Sequence, residues 1–206
     1  MRPRPSLGVL AMKVRTTVHR RMFLMLRPLD QPIPAPAPRG SFTFEEMSPE
    51  TKPAYLAMLP SRRALMEARL RAGSRCFLAL DGERIAHGYW MGAGRVRIDY
   101  LERDLVLPDD SVYTYDSFSP PEYRGRGLAQ AVGLHVMGVA RSEGKRRAWC
   151  LPAVENAAGI RPVEAIGYRR VAMFHCLRLG PLRRHWTRRL ADVEPLRLEP
   201  SPTVRD

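Results

Sequence analysis

The stretch Val112-Tyr113-Thr114-Tyr115-Asp116-Ser117-Phe118-Ser119-Pro120-Pro121-Glu122-Tyr123-Arg124-Gly125-Arg126-Gly127-Leu128-Ala129 decides how this chain folds. Its first seven residues are mostly aromatic, β-branched or small, the composition of a strand. Pro120-Pro121 ends that strand, because proline has no N–H to give a sheet ladder. Beyond Gly127, the residues Leu128, Val132, Leu134, Val136 and Val139 recur near helical spacing, with Ala129, Ala131 and Ala140 between them. Strand, glycine turn and helix follow in that order. The first amides of such a helix have no intrahelical acceptor and point outward, which makes a seat for phosphate. Arg124 and Arg126 add guanidinium charge that a pyrophosphate complements.

Other phosphate motifs fit less well. Gly125 and Gly127 match the first two glycines of a dinucleotide fingerprint, but Gln130 stands at the third. A Walker loop needs a Gly-Lys-Ser/Thr ending that is missing here. The spacing Arg124-x-x-Gly127-x-Ala129 resembles the pyrophosphate loop of the GCN5-related N-acetyltransferases: Gln or Arg, two residues, Gly, one residue, then Gly or Ala. Arg-Gly runs also occur in disordered RNA-binding tails, but the flanking strand and helix argue against that reading.

A second block extends the resemblance. Arg146-Arg147-Ala148-Trp149-Cys150-Leu151 reads as a strand, Glu155-Asn156-Ala157-Ala158-Gly159 opens a helix, and Gly167-Tyr168 closes it. Asn156 is a good helix N-cap on chemistry alone, and Gly167 suits a left-handed C-cap. The family implies a mixed α/β fold with a mostly antiparallel central sheet flanked by helices, and acetyl-CoA as acyl donor. It implies direct attack of an amine on the thioester. The matching coenzyme-binding positions are Phe118, Ser119, Arg124, Gly125, Arg126, Gly127, Leu128, Ala129 and Asn156. In many relatives the strand beside Phe118 and Ser119 splays away and frees backbone groups for the pantetheine arm.

Three proton-transfer positions depart from the family. Val163 replaces a tyrosine seven residues after the Asn, Tyr113 replaces a glutamate on the strand, and Leu151 replaces another glutamate. The remaining candidates are Tyr113 and Tyr115, either of which can protonate a thiolate, and Asp116, which can accept an ammonium proton or close a salt bridge. Period-2 alternation puts Tyr113, Tyr115, Ser117 and Ser119 on one face and Thr114, Asp116 and Phe118 on the other. Trp90, Asp99 and Glu102 are candidates for an acceptor pocket. Glu102, Asp104, Asp109 and Asp110 suggest a cationic acceptor. A catalytically silent coenzyme A-binding module is the alternative function.

Composition bounds these readings. The 206 residues are 45% hydrophobic and 27% charged, which suits a globular domain. No apolar run approaches the ~20 residues of a membrane span, so the expectation is a cytoplasmic protein without membrane contact. Cys76, Cys150 and Cys176 sit in apolar segments and read as buried thiols, with no metal-ligand spacing and no metal expected. The net charge is +13, and residues 1–40 carry eight basic side chains against Asp30 alone. Without a zinc-finger or RNA-recognition signature, that charge is assigned to solubility or loose contact with anionic surfaces, and a basic nucleic-acid-binding protein stands as a second, disfavoured alternative. A small-molecule or protein amine is the expected partner, and a homodimer is left open.

The chain divides, on this reading, into a basic Pro-rich extension (1–40), an N-acetyltransferase domain (41–180) and an Arg-rich tail (181–206). Phe23-Leu24-Met25-Leu26 is read as an edge strand at most, and the segment after Pro181 as a short helix with a loose end. Between them, Ser41–Glu45 is strand-like, Ser48 and Ser61 open helices, and Cys76–Leu80 with Ile85–Trp90 make a hairpin around Asp81-Gly82. Residues 95–107 are ambiguous.

Overall fold

A computed structural model describes residues 17–180 and 182–201. An eight-stranded sheet forms the centre: β1 (Thr17–Pro28), β2 (Thr43–Glu46), β3 (Arg75–Asp81), β4 (Arg84–Gly92), β7 (Ser111–Phe118), β8 (Arg147–Cys150), β9 (Arg169–Leu179) and β10 (Leu182–Arg189). Its spatial order is β10-β9-β1-β8-β7-β4-β3-β2, and every neighbouring pair is antiparallel except β7 with β8. A second, three-stranded sheet is built from β5 (Arg95–Ile98), β6 (Arg103–Val106) and β11 (Arg197–Pro200). The helices are α1 (Lys52–Met58), α2 (Arg63–Arg71), α3 (Leu128–Ser142) and α4 (Ala157–Ala165). The mixed, mostly antiparallel sheet with flanking helices agrees with the expected fold class.

Alternation explains the layers. Phe77, Ala79, Tyr89, Met91 and Val112 face one way and meet Leu128, Val132, Val136 and Ala140 of α3. Leu24, Tyr113, Trp149, Phe174 and Cys176 face the other way and are covered by Val96, Ile98, Leu101 and Leu105 of the small sheet. Cys76, Leu78 and Trp90 lie under α1 and α2 with Tyr55, Leu56 and Met66. Cys76, Cys150 and Cys176 are buried free thiols. The ambiguous segment 95–107 resolves into the β5–β6 hairpin, which roofs the second core.

Two expectations at the chain ends are corrected. Thr17–Pro28, assigned to an appendage or at most an edge, is an interior strand that pairs with both β8 and β9. Leu24 and Met25 are fully buried there, so the apolar run Phe23–Leu26 belongs to the core rather than to a linker. The boundary at residue 40 therefore cuts through the folded unit. The segment after residue 181 is a strand, not a helix. Leu182 opposes Leu179 directly, and Gly180 has φ +58°, so β10 runs back along β9. β11 then clips onto β6, leaving little of the described tail loose.

Candidate active site

Strand β7 pairs with β8 only over Ser111–Tyr113. Beyond that point β8 ends, and its continuation crosses to β1: Phe23 N–H donates to the Pro152 carbonyl and Val154 N–H to the Arg21 carbonyl, each at 3.0 Å. The two parallel strands thus diverge, and the β8-facing side of β7 beyond Tyr113 loses its ladder partner. A side-chain knot sits at the fork. The Thr114 hydroxyl donates to the Trp149 carbonyl (3.3 Å), which leaves Tyr168 Oη, 2.7 Å away, as the donor to Thr114. Burial pushes the Tyr168 phenol well up, so it stays protonated in that role. The aromatic residue after Gly167 therefore pins the place where the sheet opens.

A cleft of about 500 Å3 occupies the opening and passes between the two sides of the sheet. Asn156, Gly159 and Val163 of the α4 segment line one end, Leu65, Arg69 and Tyr100 the other, and Tyr113, Tyr115 and Asp116 the middle. Asn156 caps α4 as its chemistry predicts: its Oδ1 accepts from Gly159 N–H at 3.0 Å. A Cβ at residue 159 would lie 2.4 Å from Asn156 Nδ2, so this glycine lets the cap fold over the helix start.

The regular alternation of β7 fails at Asp116, which has φ +47° and lies in a register shift between β4 and β7. This bulge turns Asp116 onto the face of Tyr113 and Tyr115, not the opposite one. There its carboxylate accepts from Arg62 Nη1 at 3.0 Å and from Arg69 Nη1. Arg69 in turn lies over the Trp90 and Tyr115 rings. Asp116 thus has the salt-bridge geometry, with both carboxylate oxygens engaged. The bulge also sends Ser119 away from the tyrosines: its hydroxyl is 2.7 Å from Nδ1 of buried His87. Burial drives His87 down to about 4, so the ring is neutral and its contact with Ser119 is an ordinary hydrogen bond.

The two tyrosines differ. Their rings stack at 5.0 Å, but Tyr115 Oη donates to Ser74 Oγ at 2.8 Å and is committed there. Among the described residues the Tyr113 hydroxyl has no partner, and Tyr113 borders the cleft. Burial raises the Tyr113 phenol far above its ordinary range, which keeps its proton on at neutral pH.

Past Phe118, which opposes Gly88 on β4, Pro121–Tyr123 makes one 3-10 turn and leads into the glycine loop. Gly125 and Gly127 have φ of +75° and +76°, and Gly127 is the N-cap of α3. Nothing lies within 4 Å of where a Cβ on Gly125 would stand. These glycines therefore serve backbone geometry and a bare surface, not close packing. The first helical bond runs from Ala131 N–H to the Gly127 carbonyl. Among the described residues the amides of Gly125, Arg126 and Gly127 have no acceptor, and those of Leu128, Ala129 and Gln130 form the open first turn. Leu128 is buried and anchors the helix, while Ala129 is half-buried. Arg124 reaches back to the Ser119 carbonyl (3.4 Å), and Arg126 lies over the Tyr123 ring. The loop lines no part of the cleft but follows directly from the strand that does.

Of the acceptor-pocket candidates, Asp99 lines the cleft. Trp90 is buried beneath Arg69, with its Nε1 donating to Tyr55 Oη. The four acids expected to attract a cation do not serve that end. Glu102 pairs with Arg20, Arg178 and Arg183, Asp104 with Arg95 and Arg97, and Asp110 with Arg147. None of those three, nor Asp109, lines the cleft. The sequence reading does not single out Arg62, Arg69 or Thr114, because each acts through a partner distant along the chain.

Solved structures share this architecture. A GCN5-related N-acetyltransferase from Sphaerobacter thermophilus superposes with a TM-score of 0.52 at 19% identity, over 86% of this chain and 56% of that one. A glucosamine N-acetyltransferase region of a fungal multidomain β-N-acetylglucosaminidase gives 0.59 at 13%, over 87% of this chain and 22% of that one. A GCN5-related N-acetyltransferase from Kribbella flavida gives 0.51 at 14%, over 81% and 60%. The chain has the fold of the GCN5-related N-acetyltransferases. It spans little more than half the length of the Sphaerobacter structure. No family model matches the chain, and no curated protein resembles it in sequence. Among the described residues no helix is long and apolar enough to cross a membrane.

Proposed function

We propose that this protein is an acetyl-CoA-dependent N-acetyltransferase that passes the acetyl group directly to an amine. The observation that carries the reading is a continuous backbone track: unpaired amides at the start of α3, then β7 with its β8-facing side released, then a cleft through the sheet. Such a track suits a long donor with an anionic head and an amide-rich arm. The open amides of Gly125–Ala129, with the guanidinium groups of Arg124 and Arg126, would hold the diphosphate. The freed edge of β7 near Phe118 and Ser119 would align the arm, and Asn156 would border it from α4. The donor supplies an activated acyl carbon as its thioester. The protein's share is positioning, worth several powers of ten in rate, and a proton at the departing sulfur, for which Tyr113 Oη is the free and protonated group.

The cleft gives the amine its approach from the side of Arg69 and Tyr100. Release of thiol from acetyl-CoA in the presence of a panel of amines, amino sugars and peptides tests the proposal. Amine-dependent release supports it. Tight coenzyme binding without turnover against any class would replace it with a silent binding module, for which Val163 at the usual tyrosine position is the motive.

A further inference from the structure

Among the described residues the helices pack mainly over β3, β4 and β7, away from the outer strands β9 and β10. Strands β1, β9 and β10 pair there in a fixed grid. One row places Arg184, Leu177 and His19 side by side, the next Trp186, His175 and Arg21, and the next Arg188, Met173 and Phe23. Alternation puts all nine on one face. The rings of Trp186, His175 and His19 lie within 5.5 Å of one another in planes 11–22° apart. Trp186 is 38% exposed. Arg21 is neutralised by Glu155 at 2.9 Å, but no described acid pairs with Arg184 or Arg188, which flank Trp186 on β10.

The edge of β10 also narrows the choice of partner. Pairing with a second copy would set Arg183, Arg184, Arg188 and Arg189 against the same residues, and like charges across an edge are a device against such pairing. A polyanion meets no such opposition. An exposed tryptophan at the end of a ring stack, flanked by guanidinium groups with no described acid partner, matches a chain that alternates planar bases with phosphates.

We propose that this face binds single-stranded nucleic acid, with a base stacked on Trp186 and phosphates on Arg184 and Arg188. None of these residues lines the cleft, so the inference stands apart from the acyl-transfer reading. It also explains why no RNA signature is visible in the sequence. The rings come from three strands, and only their pairing assembles the platform.

The test is the full chain titrated into a fluorescein-labelled twelve-nucleotide oligo-U, with its 12-bp duplex counterpart and vesicles of 30% phosphatidylserine in phosphatidylcholine as separate arms. Trp90 and Trp149 are buried, at 1% and 0% exposed, so quenching of tryptophan emission reports Trp186. The expected result is binding to oligo-U with quenching, about ten-fold weaker in Trp186→Ala and largely kept in Trp186→Phe. Arg184→Gln with Arg188→Gln flattens the plot of log affinity against log salt by about 1.4, the mark of two lost phosphate contacts on a single strand. These side chains are exposed, and unchanged thermal melting serves as the folding control. Affinity equal in wild type and both variants overturns the proposal in favour of charge elsewhere on the chain. Binding to vesicles but not to oligo-U overturns it in favour of a lipid surface.

Discussion

The glycine loop and the fork of the sheet lie on one strand, yet they are built by opposite means. At the loop, the proposed donor seat rests on backbone: amides of Gly125–Ala129 without partners among the described residues, and two glycines at positive φ. At the fork the proposed reacting centre rests on side chains drawn from six separate segments of the chain, nearly all of whose polar atoms are already satisfied. Thr114 binds Trp149 and Tyr168, Tyr115 binds Ser74, and Asp116 binds Arg62 and Arg69. The contrast teaches that an anion seat needs groups left open, whereas a reacting centre needs groups held still. At the fork, Tyr113 alone among the three sequence candidates keeps an uncommitted hydroxyl.

Substitutions at the two regions should therefore fail differently. Gly127→Glu puts a side chain at φ +76° and a carboxylate into the anion seat, and it should weaken coenzyme binding at least 100-fold by calorimetry. Tyr113→Phe removes only the free hydroxyl. It should cut kcat about 100-fold with coenzyme affinity unchanged, as loss of a general acid does. Tyr115→Phe should leave kcat within about three-fold and cost about 1 kcal/mol of stability in urea, the value of its bond to Ser74. Equal losses of kcat in the two tyrosine variants would break the distinction drawn between them.

The supports of the site should show themselves in stability and pH. His87 is held to about 4 in the folded chain, below the ~6.5 of an unfolded one. The unfolded state therefore binds the extra proton first as pH falls. His87 removes up to about 3 kcal/mol of stability between pH 6.5 and 4, and no more below that. Denaturant midpoints measured across this range should fall less steeply in His87→Gln. Asn156→Ala loses the cap of α4 and should cost about 1 kcal/mol. It should also raise the KM for the donor if Asn156 borders the arm.

This same division governs what could be read from sequence. The loop is legible because its pattern is local: a strand, a proline stop, two glycines and an apolar helix lie within one short run. The cap at Asn156 was legible for the same reason. The bulge at Asp116 was not, since strict alternation gives no sign of it, and so Asp116 and Ser119 were placed on the wrong faces. Arg69 looked like the polar side of an ordinary helix, and its role depends on Asp116, 47 residues later. Glu102 looks like part of an acceptor site in sequence because its arginine partners lie on β1, β9 and β10, far along the chain. The proline-rich connector after Thr17–Pro28 makes that segment look like an appendage in sequence, although Leu24 and Met25 are as buried as any described residues.

Amide chemical shifts of 15N-labelled protein during titration with coenzyme A probe the proposed donor seat residue by residue. The amides of Gly125, Arg126, Gly127, Leu128 and Ala129 should move first and furthest, with smaller changes at Phe118, Ser119 and Asn156. Saturable shifts confined to β9 and β10, with the loop amides unmoved, would contradict it.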